Sequence, residues 1–321
     1  MRFIDHQANF NNKSKITRFS AEILWEMIEK LNHPAARVED RFIWQLLEVV
    51  MSIDSTSFIV QRNGQTVTLN ELTPLAFAGF AHFTAMQVRG GKIRGLDLHL
   101  KRLRMASEVM FGVALLDERL CFYLRTALAS SPLDVSLTVT LYLPAGEFTV
   151  AAAGAEPDVL IRTGPASQGP AGPLALAVVE YERVLPEIKH VGEVGKTHFL
   201  RQAVAQGDDD AVFIDRFGRL SEATIWNLAF WDGASVVWPE AKMLGGTTMN
   251  IVRRQLARLD IPQRVQEITL ADLPSMAGCV VMNSWTPGIA VKRIGSVMIP
   301  EAPEFLALLH RAYQAEILSQ P

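Results

Sequence analysis

Two spacings alternate along this chain. Apolar residues recur at helical spacing in SAEILWEMIEKLN and VEDRFIWQLLEVVMSI, which predicts two amphipathic helices between residues 20 and 53, parted at Asn32, His33 and Pro34. From Ser57 the period drops to two. SFIVQRNGQTVTL alternates apolar and polar positions around Asn63 and Gly64, the dipeptide of a tight hairpin. FAHFTAMQVRGGKIRGL reads as a second hairpin turning at Gly90 and Gly91. LDLHLKRLRMASEVMFG then regains helical spacing, with Gly112 as its stop. Further strands are predicted at Ser136 to Leu143, Glu147 to Ala153 and Val159 to Arg162.

Residues 164 to 174 concentrate Gly, Pro, Ser and Ala between strand-like runs, as a connecting segment does. Beyond them short strands (LALAVVEYERV, AVFID, IWNLAFW, SVVWP, GCVVMN) alternate with helical runs after Lys196, after Thr247 and from Pro303 to the C-terminus. The pattern predicts a mixed α+β / α/β protein. Its parts are a helical N-terminal extension (1–56), a smaller α+β domain (57–163), a linker (164–174) and a larger C-terminal domain (175–321).

Composition narrows the function classes. At 321 residues and 49% hydrophobic, the chain can bury substantial cores. A formal charge of -3 lacks the basic excess of a nucleic-acid binder, so the expected partners are small molecules and not nucleic acid. Only Cys121 and Cys279 occur, both in apolar surroundings, which indicates neither a disulfide framework nor a thiolate metal site. The His residues show no close pair with metal-ligand spacing, and Asp208, Asp209 and Asp210 read as a solvated turn, so no metal is expected. With no signal-like or membrane-spanning run, a cytoplasmic location away from membranes is expected.

The candidate chemistry lies in separated residues. Lys196, in VGEVGKTHFLRQ, heads a helical run, where an amine can form a Schiff base with an aldehyde and then move a proton between two carbons. Glu222, in LSEATIWNL, follows a hairpin and precedes an apolar strand, a place where a carboxylate can face a pyridine nitrogen. LGGTTMNIVRRQLARL sets Gly246, Thr247 and Thr248 before an amphipathic helix, and backbone N–H groups, hydroxyls and the positive helix end make a phosphate cradle there. Arg102 can add a planar cationic donor. The plainer alternatives are a surface lysine, a turn-flanking acid, an ordinary N-cap and a solvated cationic helix face.

Together these residues resemble the class IV aminotransferases, the fold type IV pyridoxal phosphate (pyridoxal 5'-phosphate) enzymes that include branched-chain and D-amino acid aminotransferases and aminodeoxychorismate lyase. The resemblance runs from about Phe58 to the C-terminus. HLKRL is similar to the family's H-x-x-R-L, whose arginine binds the cofactor phosphate and corresponds to Arg102. The Schiff-base lysine corresponds to Lys196, the segment E-x-x-x-x-N to Glu222 and Asn227, and the turn G-I-T-R to Gly246, Thr247 and Thr248. NSWTPGIAV resembles the lyase pattern N-A-L-x-P-x-x-P-V. It implies cofactor contacts at Ser284 and Trp285 and substrate contacts at Asn283, Trp285 and Thr286. The N-terminal substrate strand corresponds to Phe83, Thr84, Ala85, Met86 and Gln87. The resemblance further implies two domains with the cofactor between them and a homodimer.

The departures bear on specificity. Met249 ends the turn where the family carries arginine, Arg201 stands five residues after Lys196 where branched-chain enzymes have tyrosine, and Gln87 replaces the substrate-strand arginine. The leading expectation is an aminotransferase moving an amino group between an amino acid or amine and a 2-keto acid. The alternatives are a carbon-oxygen lyase of the aminodeoxychorismate type, which NSWTPGIAV favours, and a noncatalytic member of the family.

Overall fold

Strand β3 (Ala81–Arg89) shows how the first of two sheets is built. His82, Thr84, Met86 and Val88 are buried on one face while Phe83, Ala85, Gln87 and Arg89 remain partly open on the other, as period two requires. The sheet runs in the order β16, β4, β3, β5, β6, β1, β2, with β1 at Val60–Arg62, β2 at Gln65–Thr66, β4 at Lys92–Arg94, β5 at Val135–Tyr142, β6 at Asp158–Pro165 and β16 at Leu318–Ser319. The computed structural model describes residues 59–77, 79–146 and 155–321, and all of them fall in one compact unit. The two helices expected between residues 20 and 53 and the strand expected at 147–153 lie outside the described residues.

Helices α1 (Leu96–Phe111) and α2 (Asp117–Ala129) cover the buried face of this sheet. Leu100, Leu103, Leu120 and Leu124 pack with Met86, Val88, Leu137, Val139 and Ile161. Each such side chain contributes roughly 1.5–3 kcal/mol of burial, set against the entropy of ordering it. Gly112, with φ of 73°, ends α1 in the left-handed conformation that glycine adopts most readily.

The second sheet closes on itself. Strands β10 (Asn227–Trp231), β13 (Gly278–Met282), β14 (Ile289–Ile294), β7 (Leu174–Glu180), β8 (Asp210–Ile214) and β9 (Leu220–Ala223) follow one another, and β9 pairs back to β10. Leu176, Val212, Leu220, Leu228, Phe230, Val281 and Ile294 form its core. β11 (Val236–Pro239) and β12 (Gln263–Gln266) extend the sheet from β10, and β15 (Val297–Met298) pairs with β14. Helix α3 (Val194–Ala205) packs on β8, while α4 (Thr247–Arg258) and α5 (Pro303–Gln314) meet over a third apolar cluster that includes Met249, Val252, Leu256, Phe305 and Leu309.

The chain ends by returning to the first sheet. The helical pattern predicted to run from Pro303 to the C-terminus stops at Gln314, because Leu318 pairs with Arg94 and Ser319 with Ile93. Arg254 of α4 reinforces this closure, donating to Glu316 at 2.9 Å and to Asp97 of α1 at 2.7 Å. Helix α2 and strands β9, β12, β14, β15 and β16 are not legible in the periodicity, since most are too short to show a period of their own.

Candidate active site

Glu222 and Asn227 are cross-strand partners at the seam where β9 meets β10. A tight turn joins them, closed by the bond from Ala223 N to Trp226 O at 2.9 Å. Asn227 donates from Nδ2 to Leu244 O at 2.7 Å and thereby fixes the loop leading into α4. Gly246 follows in that loop, so close to Asn227 that a Cβ there would overlap Oδ1. Thr247 and Thr248 open α4, and the Thr247 hydroxyl is buried without a hydrogen-bond partner among the described residues. Arg102 reaches over from α1 and donates to Gly245 O at 2.9 Å. Burial draws its pKa down to about 10, still well above neutral pH.

Except for Glu222, the side chains just named border a cavity of about 300 Å³ lined by Phe83, Ala85, Arg102, Thr138, Lys189, Ile225, Asn227, Leu244, Gly246, Thr247, Thr248, Asn283, Ser284 and Trp285. The lining includes Arg102 with its guanidinium and Thr247 and Thr248 at a helix N-terminus, a donor set suited to a phosphate dianion. Phe83 and Trp285 add aromatic wall, the latter edge-on to Trp226 with centroids 5.8 Å apart. Asn283 shapes this loop by accepting the Trp285 N–H at 2.8 Å.

The amine in the wall is Lys189, seven residues before Lys196. It precedes α3 in an extended segment that pairs with β3. Phe83 N donates to Lys189 O at 2.8 Å, Val191 N donates to Ala81 O at 2.8 Å, and His190 bridges to His82. The Lys189 ammonium lies 4.7 Å from the Phe83 ring centre. Desolvation is the main force pulling its pKa down to about 7, helped by the positive charges of Arg102 and Lys196 and opposed by Glu222.

Lys196 is not among the residues lining this cavity. It sits in the first turn of α3, buried, with Nζ 3.7 Å from Glu222 Oε2 and 3.9 Å from Glu193 Oε1. Burial lowers its pKa against the opposing pull of Glu222. Glu222 also lies off the cavity's lining. Its other oxygen accepts from Arg183 Nη1 at 2.9 Å, and together with Arg183 it borders a neighbouring pocket of about 560 Å³.

The remaining expected substrate contacts divide by strand face. Phe83 lines the cavity, but Thr84 points the opposite way and shares a 2.6 Å hydrogen bond with His99 Nδ1 in the core. Burial holds His99 neutral, with a pKa near 3. Gln87 is on the Phe83 face yet off the lining, engaged by Ser136 Oγ at 2.8 Å and by Ser167 N at 3.0 Å. Thr286 is buried and turned back to Gly288, while Asn283, Ser284 and Trp285 reach the cavity. Lys189 escapes a sequence reading that seeks the amine at a helix start. The available signal is its place in E-I-K-H-V, between Ile188 and His190, which are both buried.

Similarity to known proteins gives the family. The profile of the amino-transferase class IV family matches residues 81–294, and the chain belongs to that family. The fold is that of a branched-chain aminotransferase from Thermoproteus uzoniensis (TM-score 0.70, 18% identity, covering 80% of this chain and 94% of that one). It is also similar to a protein from Legionella pneumophila assigned as a 4-amino-4-deoxychorismate lyase (TM-score 0.68, 17% identity, 78% and 96% covered). A second branched-chain amino acid aminotransferase, from T.th. and complexed with N-(5'-phosphopyridoxyl)-L-glutamate, matches with a TM-score of 0.68 at 18% identity, 81% and 97% covered. No curated protein matches the sequence. Among the described residues, no helix is long and apolar enough to cross a membrane, and no cluster of His, Cys, Asp and Glu is suited to a metal ion.

Proposed function

We propose that this chain is a pyridoxal-phosphate-dependent aminotransferase whose cofactor-binding amine is Lys189 rather than Lys196. The observation that carries the reading is that one cavity wall holds Lys189, with a pKa near 7, together with Arg102 and the first turn of α4. A lysine that loses its proton near neutrality is a nucleophile toward an aldehyde, whereas an ordinary lysine is almost wholly ammonium. The phosphopyridoxyl ligand of the second branched-chain relative supports the choice of cofactor.

Pyridoxal phosphate, when bound, supplies an aldehyde that takes up amines and a ring that accepts the electrons of a substrate carbanion. The residues of this chain do the rest. Arg102, Thr247 and Thr248 hold the phosphate, the orphaned Thr247 hydroxyl gaining the partner it lacks. Glu222, held by Arg183, would provide the carboxylate for the ring nitrogen. Lys189 would hold and move the proton at its Nζ as the base. Phe83, Trp285 and Ile225 exclude water around an apolar substituent, and Asn283 and Ser284 offer polar contacts to a carboxylate. The substrates in this reading are an amino donor and a 2-keto acid.

A carbon-oxygen lyase is the second reading, favoured by the NSWTPGIAV segment and the fold shared with the Legionella protein. Visible spectra of the protein with pyridoxal phosphate test the proposal, using Lys189→Ala and Lys196→Ala followed by borohydride reduction and peptide mapping. The expected result is a band and a reduced adduct that require Lys189 and survive in Lys196→Ala. The reverse pattern returns the role to Lys196, and no band in the unaltered protein overturns the cofactor assignment. Conversion of the cofactor to pyridoxamine phosphate, with release of the keto acid of the donor, distinguishes transfer from elimination, which releases pyruvate and leaves pyridoxal phosphate unchanged.

A further inference from the structure

Arg183 follows β7, and its side chain is only 2% exposed. Every N–H-bearing nitrogen of its guanidinium is engaged. Nη1 donates to Pro186 O at 2.7 Å and to Glu222 Oε1 at 2.9 Å. Nη2 donates to Ile188 O at 2.8 Å and to Glu193 Oε1, and Nε donates to Glu193 Oε2 at 3.2 Å. Two of these acceptors are carbonyls in the segment leading directly into Lys189. The other two partners are Glu193, at the N-cap of α3, and Glu222, at the barrel seam.

Resting on the assignment of Lys189 above, we propose that Arg183 is a positioning residue that sets the separation between the Lys189 amine and the Glu222 carboxylate. A pyridine aldehyde presents its two reactive ends at a fixed distance, so the groups meeting those ends must be placed by one rigid element. The Lys189 segment is pinned by β3 on one side, through Phe83 N and Val191 N. Arg183 pins it on the other and binds the same guanidinium to Glu222. Its planar fork is needed because the four partners lie in divergent directions, and a lysine ammonium has neither the reach nor the donor count to serve them together. The local charges also balance, Arg183 and Lys196 facing Glu193 and Glu222, so the network adds no net charge beside Lys189.

The test uses Arg183→Lys and Arg183→Met, with Arg216→Met as an exposed control from the wall of the neighbouring pocket. Three quantities are read: melting of the cofactor-free protein, the dissociation constant for pyridoxal phosphate from the visible band, and the pH midpoint of cofactor capture. In folded Arg183→Lys the dissociation constant rises about tenfold or more, and in Arg183→Met the midpoint also moves upward because a cation near Lys189 is gone. Arg216→Met leaves both unchanged. A lower melting temperature with affinity within about twofold and an unmoved midpoint overturns the proposal, leaving Arg183 a structural residue only. If Arg183→Met does not fold, the affinity of Arg183→Lys decides the matter. A wild-type protein with no Lys189-dependent band overturns the underlying assignment, and a wild-type band with unperturbed Arg183 variants overturns only the positioning role.

Discussion

The Lys189 ammonium nitrogen lies 4.7 Å from the centre of the Phe83 ring, while the backbones of the same two residues are joined by a hydrogen bond. The ring stabilises the charged form by about 0.5–2 kcal/mol. Desolvation outweighs it, since the pKa falls from 10.5 to about 7. Capture of pyridoxal phosphate is therefore expected to rise with pH through about 7 and then level, as followed by stopped-flow absorbance. Phe83→Leu moves that midpoint lower because the cation loses its ring. An unchanged or higher midpoint in Phe83→Leu would show that the ring does not stabilise the ammonium.

The same shift has a consequence for stability. Between pH 7 and 10.5 the unfolded chain holds a proton on Lys189 that the folded chain has released. Folding stability of the cofactor-free protein should thus rise with pH across this window, and the pH dependence vanishes below it as both states become protonated. Lys189→Met removes that part of the rise. Denaturant titrations of both proteins at several pH values check this, and parallel pH profiles would contradict it.

Arg102→Met is expected to weaken pyridoxal phosphate binding by about 10- to 100-fold, the equivalent of a charge-assisted hydrogen bond of ~1.5–3 kcal/mol. Binding of pyridoxal, which has no phosphate, should change little. Equal losses for the two ligands would place Arg102 away from the phosphate.

Thr84→Val removes the hydroxyl bonded to His99 without altering the cavity wall. Leaving the buried His99 Nδ1 unpartnered should cost about 1–3 kcal/mol of stability, with cofactor affinity unchanged. Urea unfolding and the visible titration measure the two effects. A selective loss of substrate affinity in Thr84→Val would return this residue to the substrate site.

Gly246→Ala drives a methyl group into Asn227 Oδ1. Asn227 must move, and its bond to Leu244 O is lost or strained. The expected outcome is a destabilisation of about 1–3 kcal/mol together with weaker cofactor binding, because the turn feeding Thr247 and Thr248 shifts. Wild-type affinity in this variant would mean that the turn relaxes without disturbing the cradle.

Local pattern makes much of the scaffold legible. The hairpins at Asn63-Gly64 and Gly90-Gly91 stand where glycine and period-two alternation predict them, and α1 stops at Gly112. GGTTM is readable as a helix start because turn glycines and capping threonines act on their neighbours alone. Helix α2 and the short strands β9 and β14 are not, since their pairing is set by residues remote in sequence. The face of β3 is ambiguous in the same way. Alternation separates Phe83 from Thr84, but only packing against α1 decides which of them meets the core.

By itself, the sequence determined the hairpins, several strands and helices, and an inventory of reactive groups: Lys196, Glu222, a phosphate-type turn and Arg102. Tertiary structure decided which groups meet. Lys189 and Lys196 are seven residues apart and chemically alike, yet one borders the cavity and the other faces Glu193 and Glu222. The difference arises because an amine's reactivity depends on its solvation and surrounding charge. Those were fixed by β3 pairing with the Lys189 segment and by Arg183 joining that segment to Glu222.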